Sequence, residues 1–186
     1  MFVVIDGGDG VGKTTLINNL KRCREEWVFT KEPNFNDTTQ KIRDIIDEGG
    51  LCTETVAYLF AAARAENTNK IIKPALTQGK VVISDRYVHS SIIYQGLIGG
   101  MGVENVRALN KWAMIEPDMV IVLTGKSKKD TKDNWLDEMG QSDQVVNAFR
   151  ILAQSDSRFK IINVDNLSPE DVTNKVLAII EGKDED

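Results

Sequence analysis

The feature that most constrains the fold of this chain lies at its N-terminus, where MFVVI is followed at once by DGGDGVGKTT. The apolar run at residues 2–5 predicts a short buried strand, and the pattern G-x-x-x-x-G-K-[ST] occupies residues 7–14. A helical pattern begins at Thr14. A strand, a glycine-rich turn and a helix in this order form a loop whose backbone N–H groups converge on phosphate oxygens. We therefore predict nucleotide binding, and the alternative of a merely glycine-rich turn is much weaker.

The rest of the chain alternates between short apolar runs and helical patterns. Further strands are predicted at residues 27–30, 81–83, 119–123 and 159–164, because these runs lack the polar alternation of a half-exposed sheet. Isoleucines at residues 42, 45 and 46 form a helical stripe, and Ser168, Pro169 and Asp171 predict a capped helix start. This order predicts an α/β fold, a doubly wound parallel sheet of about five strands with helices on both faces, of the P-loop NTPase type.

Length, charge and cysteine usage narrow the class of protein. A chain of 186 residues fits a single domain, here residues 1–186. The formal charge of −5 argues against a nucleic-acid partner, and the longest apolar runs are too short for a membrane span. Cys23 and Cys52 lack a metal-like spacing, so we expect two packing residues in a reduced compartment. With no basic leader before Asp6, a cytoplasmic location is expected.

A second candidate site lies in VVISDRYVHSSIIYQG, residues 81–96. Asp85 ends a predicted buried strand at the edge of the sheet that carries the phosphate loop, and an acid there can hold Mg²⁺. Arg86 can clamp a phosphate with two parallel hydrogen bonds. The alternative is a surface ion pair or a strand cap. These residues leave open a phosphotransferase, an NTPase switch or motor, and a non-catalytic binding module, although the absence of an N-K-x-D run disfavours a guanine-reading switch.

Taken together, IDGGDGVGKTT and VVISDRYVHSSIIYQG resemble the thymidylate kinase family. KEP at residues 31–33, YLFAAARAE at 58–66, IIKPAL at 71–76 and the segment at 100–123 follow in the family's order. The resemblance covers residues 1–123 well and the rest weakly. It implies transfer of the ATP γ-phosphoryl group to the 5′-phosphate of dTMP, giving dTDP and ADP, with Mg²⁺ bridging the phosphates. It also implies a homodimer.

The resemblance assigns roles to individual residues. Arg86 would bind the acceptor phosphate, Asp9 would reach the sugar 3′-hydroxyl, and Phe60 and Arg64 would stack on and read the thymine ring. Ser91 and Gln95 would meet the remaining base edge, and Tyr94 would press against the sugar. The implied catalytic residues are Lys13, Arg86 and Asp9, and the metal residues are Thr14 and Asp85. The implied ATP-binding residues are Gly7, Gly8, Asp9, Gly10, Val11, Gly12, Lys13, Thr14 and Thr15. The implied dTMP-binding residues are Asp9, Pro33, Phe60, Arg64, Arg86, Ser91, Tyr94 and Gln95.

Some of these residues have a plain structural alternative. Without the resemblance, Phe60 would by default belong to the core. His89, the one histidine of the chain, is expected to face solvent on a helix rather than to act in catalysis. Trp112 and Met114 are expected to serve packing or a subunit contact.

The chain departs from the family at several positions. Asn34, Phe35 and Asn36 replace a glycine-rich turn, which leaves a kinase for another deoxynucleotide, such as dUMP or a 5-substituted pyrimidine, as the alternative to a dTMP kinase. Leu97 follows YQG where bacterial members often carry an arginine, and Val11 stands at another arginine position. Residues 125–142, either a lid or a short solvated helix, contain no arginine. We expect either that Lys13 and Arg86 stabilise most of the charge, that Arg150 or Arg158 takes part, or that the enzyme is slow. A lid rebuilt on lysines would use Lys126, Lys128, Lys129 and Lys132.

Overall fold

The computed structural model describes residues 1–34, 39–126 and 143–183. Its centre is one parallel sheet of five strands in the order β2-β3-β1-β4-β5. The strands are β1 (Phe2–Gly7), β2 (Val28–Lys31), β3 (Val82–Asp85), β4 (Met119–Thr124) and β5 (Phe159–Asn163). Each predicted apolar run is a strand, which confirms the doubly wound parallel sheet expected from the sequence.

Helices connect these strands and cover both faces of the sheet. The helices among the described residues are α1 (Lys13–Cys23), α2 (Gln40–Glu48), α3 (Thr53–Asn67), α4 (Lys73–Thr77), α5 (Val88–Ser91), α6 (Val103–Asn110), α7 (Asp143–Ser155) and α8 (Pro169–Ile180). The π-helical segment Thr68–Ile72 continues α3 into α4, and the π-helical segment Ile92–Ile98 continues α5. At the start of α8, the Ser168 and Asp171 side chains each bond the other's backbone N–H, which confirms the predicted cap.

Two apolar cores lie on opposite faces of the sheet because successive strand residues point to opposite sides. On one face, Val3 and Ile5 of β1 pack with Leu16 of α1 and Val176 of α8. On the other face, the core contains Phe2 and Val4 together with residues of the helical runs: Ile72, Ile92, Ile93, Val106 and Phe149. Strands covered on both faces read as continuous apolar runs, which is why the sequence revealed them.

The register of the central strands brings the two candidate sites together. Strand β1 pairs with β3, so that Ile5 stands opposite Asp85, and with β4 on its other side. The phosphate loop follows β1, and Arg86 follows β3, at the same carboxyl edge of the sheet. The connection from β1 runs to β2 on one side of the sheet, and the connection from β3 runs past β1 to β4 on the other side. Doubly wound sheets bind their ligands where the strand order reverses in this way.

Several packing expectations were wrong. His89 is buried, with its ring edge-on to Phe159 at 5.2 Å, and burial lowers its pKa to about 3. Both cysteines are exposed, because Cys23 ends α1 and Cys52 precedes α3. Trp112 is 86% exposed, so it is not a packing residue within the described chain, whereas Met114 packs against the second core. The subunit-contact alternative for Trp112 stays a prediction.

None of the helices described is long and apolar enough to cross a membrane.

Candidate active site

The phosphate loop is held in shape by its glycines and by Lys13. Gly7 has φ +135°, and a Cβ there would lie 2.2 Å from the Leu123 carbonyl oxygen of β4, so that only glycine fits this close approach. Gly12, at φ +99°, turns the chain into α1. Lys13 Nζ donates to the carbonyl oxygens of Gly7, at 3.1 Å, and Gly8. The lysine therefore curls back over the loop, where an incoming phosphate would meet it.

Arg86 stands beside this loop in an unusual backbone conformation. Its φ of 65° is left-handed, a region that costs a non-glycine residue free energy and is enriched at functional sites. Two hydrogen bonds hold it there, since its N–H donates to Ile5 O at 2.9 Å and its carbonyl accepts from Ser84 Oγ at 2.7 Å. The turn aims the guanidinium at the phosphate loop, where Nη2 bonds Asp9 Oδ1.

A buried carboxylate lies beneath this arginine. Asp6, at the end of β1, is fully buried, and its Oδ1 accepts from Gly7 N–H at 2.9 Å. Ser90 Oγ lies 2.9 and 3.0 Å from the two oxygens of Asp6, and Arg86 Nη1 lies 3.5 Å from Oδ1. Burial raises the pKa of Asp6, while the Arg86 charge and the Gly7 hydrogen bond oppose that shift. We call these residues the Arg86 cluster: Asp6, Asp9, Lys13, Arg86 and Ser90.

The cluster changes the acid–base behaviour of Lys13. Burial and, next, the positive charge of Arg86 lower its pKa to about 8, and the charge of Asp9, 3.8 Å away, opposes them. A lysine poised near neutrality gains its full charge when phosphates approach.

The cluster opens into a cleft of about 540 Å³. Thr14 and Asp85, the predicted metal residues, line this cleft together with the phosphate loop and Arg86. Asp85 Oδ1 is buried and has no hydrogen-bond partner among the described residues, so it is an acceptor that lacks a donor or a cation. The described residues contain no group of three or more acidic, histidine or cysteine ligands. Mg²⁺ suits this sparse set, because it commonly binds one or two protein groups together with phosphates and water.

A second arginine, Arg64 of α3, lies in a closed polar cluster on the acceptor side. Arg64 and Glu32 are 4% and 5% exposed, and Arg64 Nε bonds Glu32 Oε2 at 2.6 Å. Arg64 Nη1 bonds Asn110 Oδ1, and Nη2 bonds Ser91 Oγ at 3.1 Å. Asn67 Nδ2 donates to the other oxygen of Glu32 at 3.2 Å. We call these residues the Arg64 cluster: Glu32, Arg64, Asn67, Ser91 and Asn110.

The remaining predicted acceptor residues lie between these clusters or beside them. The Tyr94 ring is 5.8 Å from the Arg86 guanidinium, and Tyr94 Oη and Gln95 Oε1 are buried without a hydrogen-bond partner in the described chain. Phe60 is half-buried one helical turn before Arg64, and it stands outside both described cores. Pro33 follows Glu32 through a cis peptide bond. Of the predicted site residues, the structure brings Asp9, Lys13, Asp85 and Arg86 into one cleft. It joins Arg64 to Ser91 by a hydrogen bond.

Sequence reasoning missed several members of both clusters: Asp6, Ser90, Glu32, Asn67 and Asn110. Asp6 offered a signal, because it is an acid inside a run that is otherwise buried strand. Glu32 was visible only as part of KEP, and Asn67 and Asn110 had no local signal. Their partners come from distant parts of the chain.

The lid and the altered turn fall mostly outside the described residues. Residues 127–142, with Lys128, Lys129 and Lys132, and the turn residues Phe35 and Asn36 lie outside them. Lys126 is described and exposed, and its N–H donates to Asp165 Oδ1 at 2.9 Å.

Arg150 and Arg158, the two arginines expected to replace those of a lid, both lie within the described residues, and Arg158 is too far from the phosphate loop to do so. It precedes β5, at the edge of the sheet opposite the phosphate loop, where it bonds Asp156 at 2.6 Å and Glu116 at 2.7 Å. Arg150 is exposed on α7 and bonds Asn147 at 3.3 Å. The prediction that Arg158 takes part in charge stabilisation is therefore wrong, because this residue lies at the opposite edge of the sheet.

A phosphate loop and an arginine that line one cleft define the class, a P-loop phosphotransferase. The model of the thymidylate kinase family matches residues 5–176. The chain belongs to the thymidylate kinase family, whose members phosphorylate dTMP to dTDP.

Individual relatives agree with this assignment. A thymidylate kinase of Finegoldia magna is 32% identical over 200 residues, covering 97% of this chain and 98% of that protein. One from Lactobacillus delbrueckii subsp. bulgaricus is 40% identical over 132 residues, which are 66% of this chain and 62% of that protein. The crystal structure of thymidylate kinase from Ehrlichia chaffeensis has a TM-score of 0.81 at 27% identity, covering 97% and 98% of the two chains. The thymidylate kinase structure from Candida albicans shares the fold, with a TM-score of 0.79 at 24% identity over 97% of this chain and 91% of that one.

Proposed function

We propose that this chain transfers the γ-phosphoryl group of ATP to the 5′-phosphate of dTMP, giving dTDP and ADP. The observation that carries the proposal is the shared cleft, in which Lys13 of the donor loop and Arg86 of the acceptor side both contact Asp9. Catalysis of phosphoryl transfer is mostly positioning and charge stabilisation. Two cations held beside one carboxylate in the same cleft can provide both.

The donor phosphates would lie in the loop of residues 7–14. Gly8, Gly10 and Gly12 leave the backbone free to approach phosphate oxygens, and the N-terminus of α1 adds a favourable field. Lys13 Nζ, now bonded to two loop carbonyls, would turn its donors to the β- and γ-phosphates. Thr14 and Asp85 would hold Mg²⁺, which neutralises charge on the bridged phosphates when bound.

The acceptor phosphate would meet Arg86, whose planar fork matches two phosphate oxygens. Arg86 would exchange its bond to Asp9 for the phosphate, and Asp9 would then be free to accept from the sugar 3′-hydroxyl. Tyr94, whose ring contacts the Arg86 guanidinium, would lie against the sugar. After this exchange Arg86 is paired with the acceptor phosphate and Asp9 with the sugar hydroxyl, so that neither side chain is left without a partner.

The Arg64 cluster has the polarity that a thymine edge needs. Thymine presents a carbonyl acceptor next to an N–H donor, whereas cytosine presents the reverse order. Arg64 has five N–H donors, of which three are bonded to Glu32, Asn110 and Ser91, so its terminal nitrogens can still donate to a carbonyl. Gln95 Oε1 is a buried acceptor for which the described chain provides no donor. Phe60, half-buried one turn before Arg64, would stack on the ring. These features favour dTMP over dCMP.

The proposal includes a single kinase domain that works as a cytoplasmic homodimer, with residues 125–142 as its lid. The family membership and the absence of a membrane-spanning helix among the described residues support this setting.

The test is ADP release with ATP, measured for dTMP, dUMP, dCMP, dGMP and dAMP in turn. We expect dTMP to give the highest kcat/KM. Stimulation by a different monophosphate would move the assignment to another deoxynucleotide kinase, and no stimulation by any would indicate a nucleotide-binding protein without turnover. The protein with Lys13→Met, which lacks the donor-loop charge, is the matched control for background ATP hydrolysis.

A further inference from the structure

Asp6 and Ser90 have no assigned role in phosphoryl transfer, yet they lie directly behind the acceptor clamp. Ser90 Oγ accepts from Arg86 Nη1 at 3.2 Å and lies 2.9 Å from Asp6 Oδ1, to which it donates its single proton. The arginine, the hydroxyl and the carboxylate thus form one chain of hydrogen bonds. Arg86 only donates and the Asp6 carboxylate only accepts, and the Ser90 hydroxyl between them does both.

The two carboxylates around Arg86 differ in what a ligand can do to them. The Asp9 side chain is 20% exposed in the cleft, so an incoming phosphate can displace it from Nη2. The Asp6 side chain is fully buried at the end of β1, and a ligand in the cleft cannot reach it. Asp6 therefore keeps its hold on the Nη1 side of Arg86 when the acceptor binds.

Burying a carboxylate without water is costly, so the contacts of Asp6 must be persistent ones. Its Oδ1 also accepts from the N–H of Gly7, the first residue of the phosphate loop. A single buried group thus contacts the start of the donor loop and the back of the acceptor clamp. Contacts of this kind, made on the side of a binding group that faces away from the ligand, hold that group in its productive geometry.

We propose that Asp6 and Ser90 are positioning residues for the acceptor phosphate, which fix the plane of the Arg86 guanidinium against the donor loop. The inference rests on the proposed function, in which Arg86 binds that phosphate. It follows that recognition of the 5′-phosphate depends on Asp6 and Ser90, whereas recognition of the nucleoside part does not.

The experiment compares two ligands that differ only in the phosphate. Dissociation constants for dTMP, and inhibition constants for thymidine, are measured for the wild-type protein, Ser90→Ala and Ser90→Thr. We expect Ser90→Ala to weaken dTMP by about tenfold, because a hydrogen bond to a charged group is lost. Thymidine should change by less than about twofold, and Ser90→Thr, which retains the hydroxyl, should restore most of the dTMP affinity.

Further variants separate positioning from a structural effect. Ser155→Ala removes a helical hydroxyl that bonds Leu152 O on α7, away from the cleft, and should change neither constant. Asp6→Asn removes the buried charge. The double variant Asp6→Asn/Ser90→Ala should weaken dTMP binding by less than the two single effects combined, because both residues act on Arg86 through one chain of hydrogen bonds. Where Asp6→Asn fails to fold, the Ser90 pair carries the test alone.

Two results would overturn the inference. Equal weakening of dTMP and thymidine by Ser90→Ala would show a structural role, and unchanged dTMP affinity would show no role. Arg86→Lys in the same assay distinguishes this failure from that of the proposed function. If Arg86→Lys leaves the ratio of the two constants unchanged, Arg86 is not the phosphate clamp, and both proposals fall. If it changes the ratio and Ser90→Ala does not, only the inference is wrong.

Discussion

The two arginines of the site, Arg86 and Arg64, lie in opposite kinds of surroundings. The Arg86 side chain is 19% exposed at the edge of the cleft, in a left-handed turn, between carboxylates on either side. The Arg64 side chain is 4% exposed in the last turn of α3, and each of its three nitrogens has a partner in the described chain.

This difference separates an exchangeable contact from a fixed one. Arg86 pairs with the partly exposed Asp9, which the acceptor phosphate would replace in each catalytic cycle of the proposed reaction. Arg64 is bonded to Glu32, both residues are almost fully buried, and such a pair is costly to break. Arg86 therefore has a partner that a ligand can exchange, whereas the partners of Arg64 hold parts of the fold together. The same substitution should then have different consequences at the two positions.

The largest effect should come from replacing Arg86 with lysine. Arg86→Lys keeps the charge beside Asp6 but loses the planar fork, so kcat/KM for dTMP should fall on the order of 10²- to 10³-fold. The free energy of unfolding should change by less than about 1 kcal/mol, since the site is partly exposed and the charge remains. Steady-state kinetics and urea unfolding of the same preparation measure both. A large loss of stability would remove the contrast with Arg64.

The matching change at Arg64 should act mainly on stability. A lysine cannot contact Glu32, Asn110 and Ser91 at once, so Arg64→Lys should lower the free energy of unfolding by about 2–3 kcal/mol. Arg64→Ala, which leaves Glu32 buried and unpaired, should cost about 3–5 kcal/mol. Urea unfolding gives both values. Unfolding free energies close to wild type in both variants would mean that the pair opens to water in solution.

A smaller effect is expected at Asn67, which supports Glu32 from the other side. Asn67 Oδ1 accepts from Thr30 Oγ1 at 2.7 Å and Asn34 Nδ2 at 3.2 Å, so it ties the Arg64 cluster to β2 and the residues after it. Asn67→Ala leaves these groups unpaired and should cost about 1–2 kcal/mol. Asn69→Ala, at an exposed position two residues on, is the control and should stay within about 0.5 kcal/mol. If Asn67→Ala and Asn69→Ala lower the free energy of unfolding equally, the hydrogen bonds of Asn67 do not connect the Arg64 cluster to β2.

The smallest effect is a pH dependence on the Arg86 side. Since the pKa of Lys13 is lowered from 10.5 to about 8, its charge is lost above that pH in the free enzyme. The plot of log(kcat/KM) for ATP against pH should therefore bend downward near pH 8, and the plot for kcat should bend at higher pH because bound phosphates favour the charged form. A profile that stays flat to pH 9.5 would contradict this.

The same shift has a consequence for stability with a definite sign. Between about pH 8 and 10.5 the unfolded chain holds the Lys13 proton and the folded chain does not. The contribution of Lys13 to the free energy of unfolding therefore rises with pH in this window. Urea unfolding of wild type against Lys13→Met across the window isolates it.

The fold could be predicted from the sequence to a large extent, and the clusters only in part. The strands were visible because burial on both faces leaves continuous apolar runs, and the phosphate loop because its glycines and Lys13 are adjacent in the chain. His89 was misplaced because a polar residue on a short helix gives no periodicity to read, and its neighbour Phe159 is 70 residues away. The partners of Arg64 were invisible for the same reason, since Glu32 and Asn110 lie 32 and 46 residues from it.

The close approach of Gly7 to Leu123 has a consequence for synthesis of the protein. Strand β1 leaves the ribosome before the other strands of the sheet. Its two neighbours, β3 and β4, comprise residues 82–85 and 119–124 and are made much later. Strand β1, which is buried along its whole length in the folded protein, therefore has no partner until β3 is made, and it lacks its second partner until about two thirds of the chain is made. We expect no nucleotide-competent intermediate in the nascent chain before β4 emerges, and a dependence on chaperones that protect this strand in the interval.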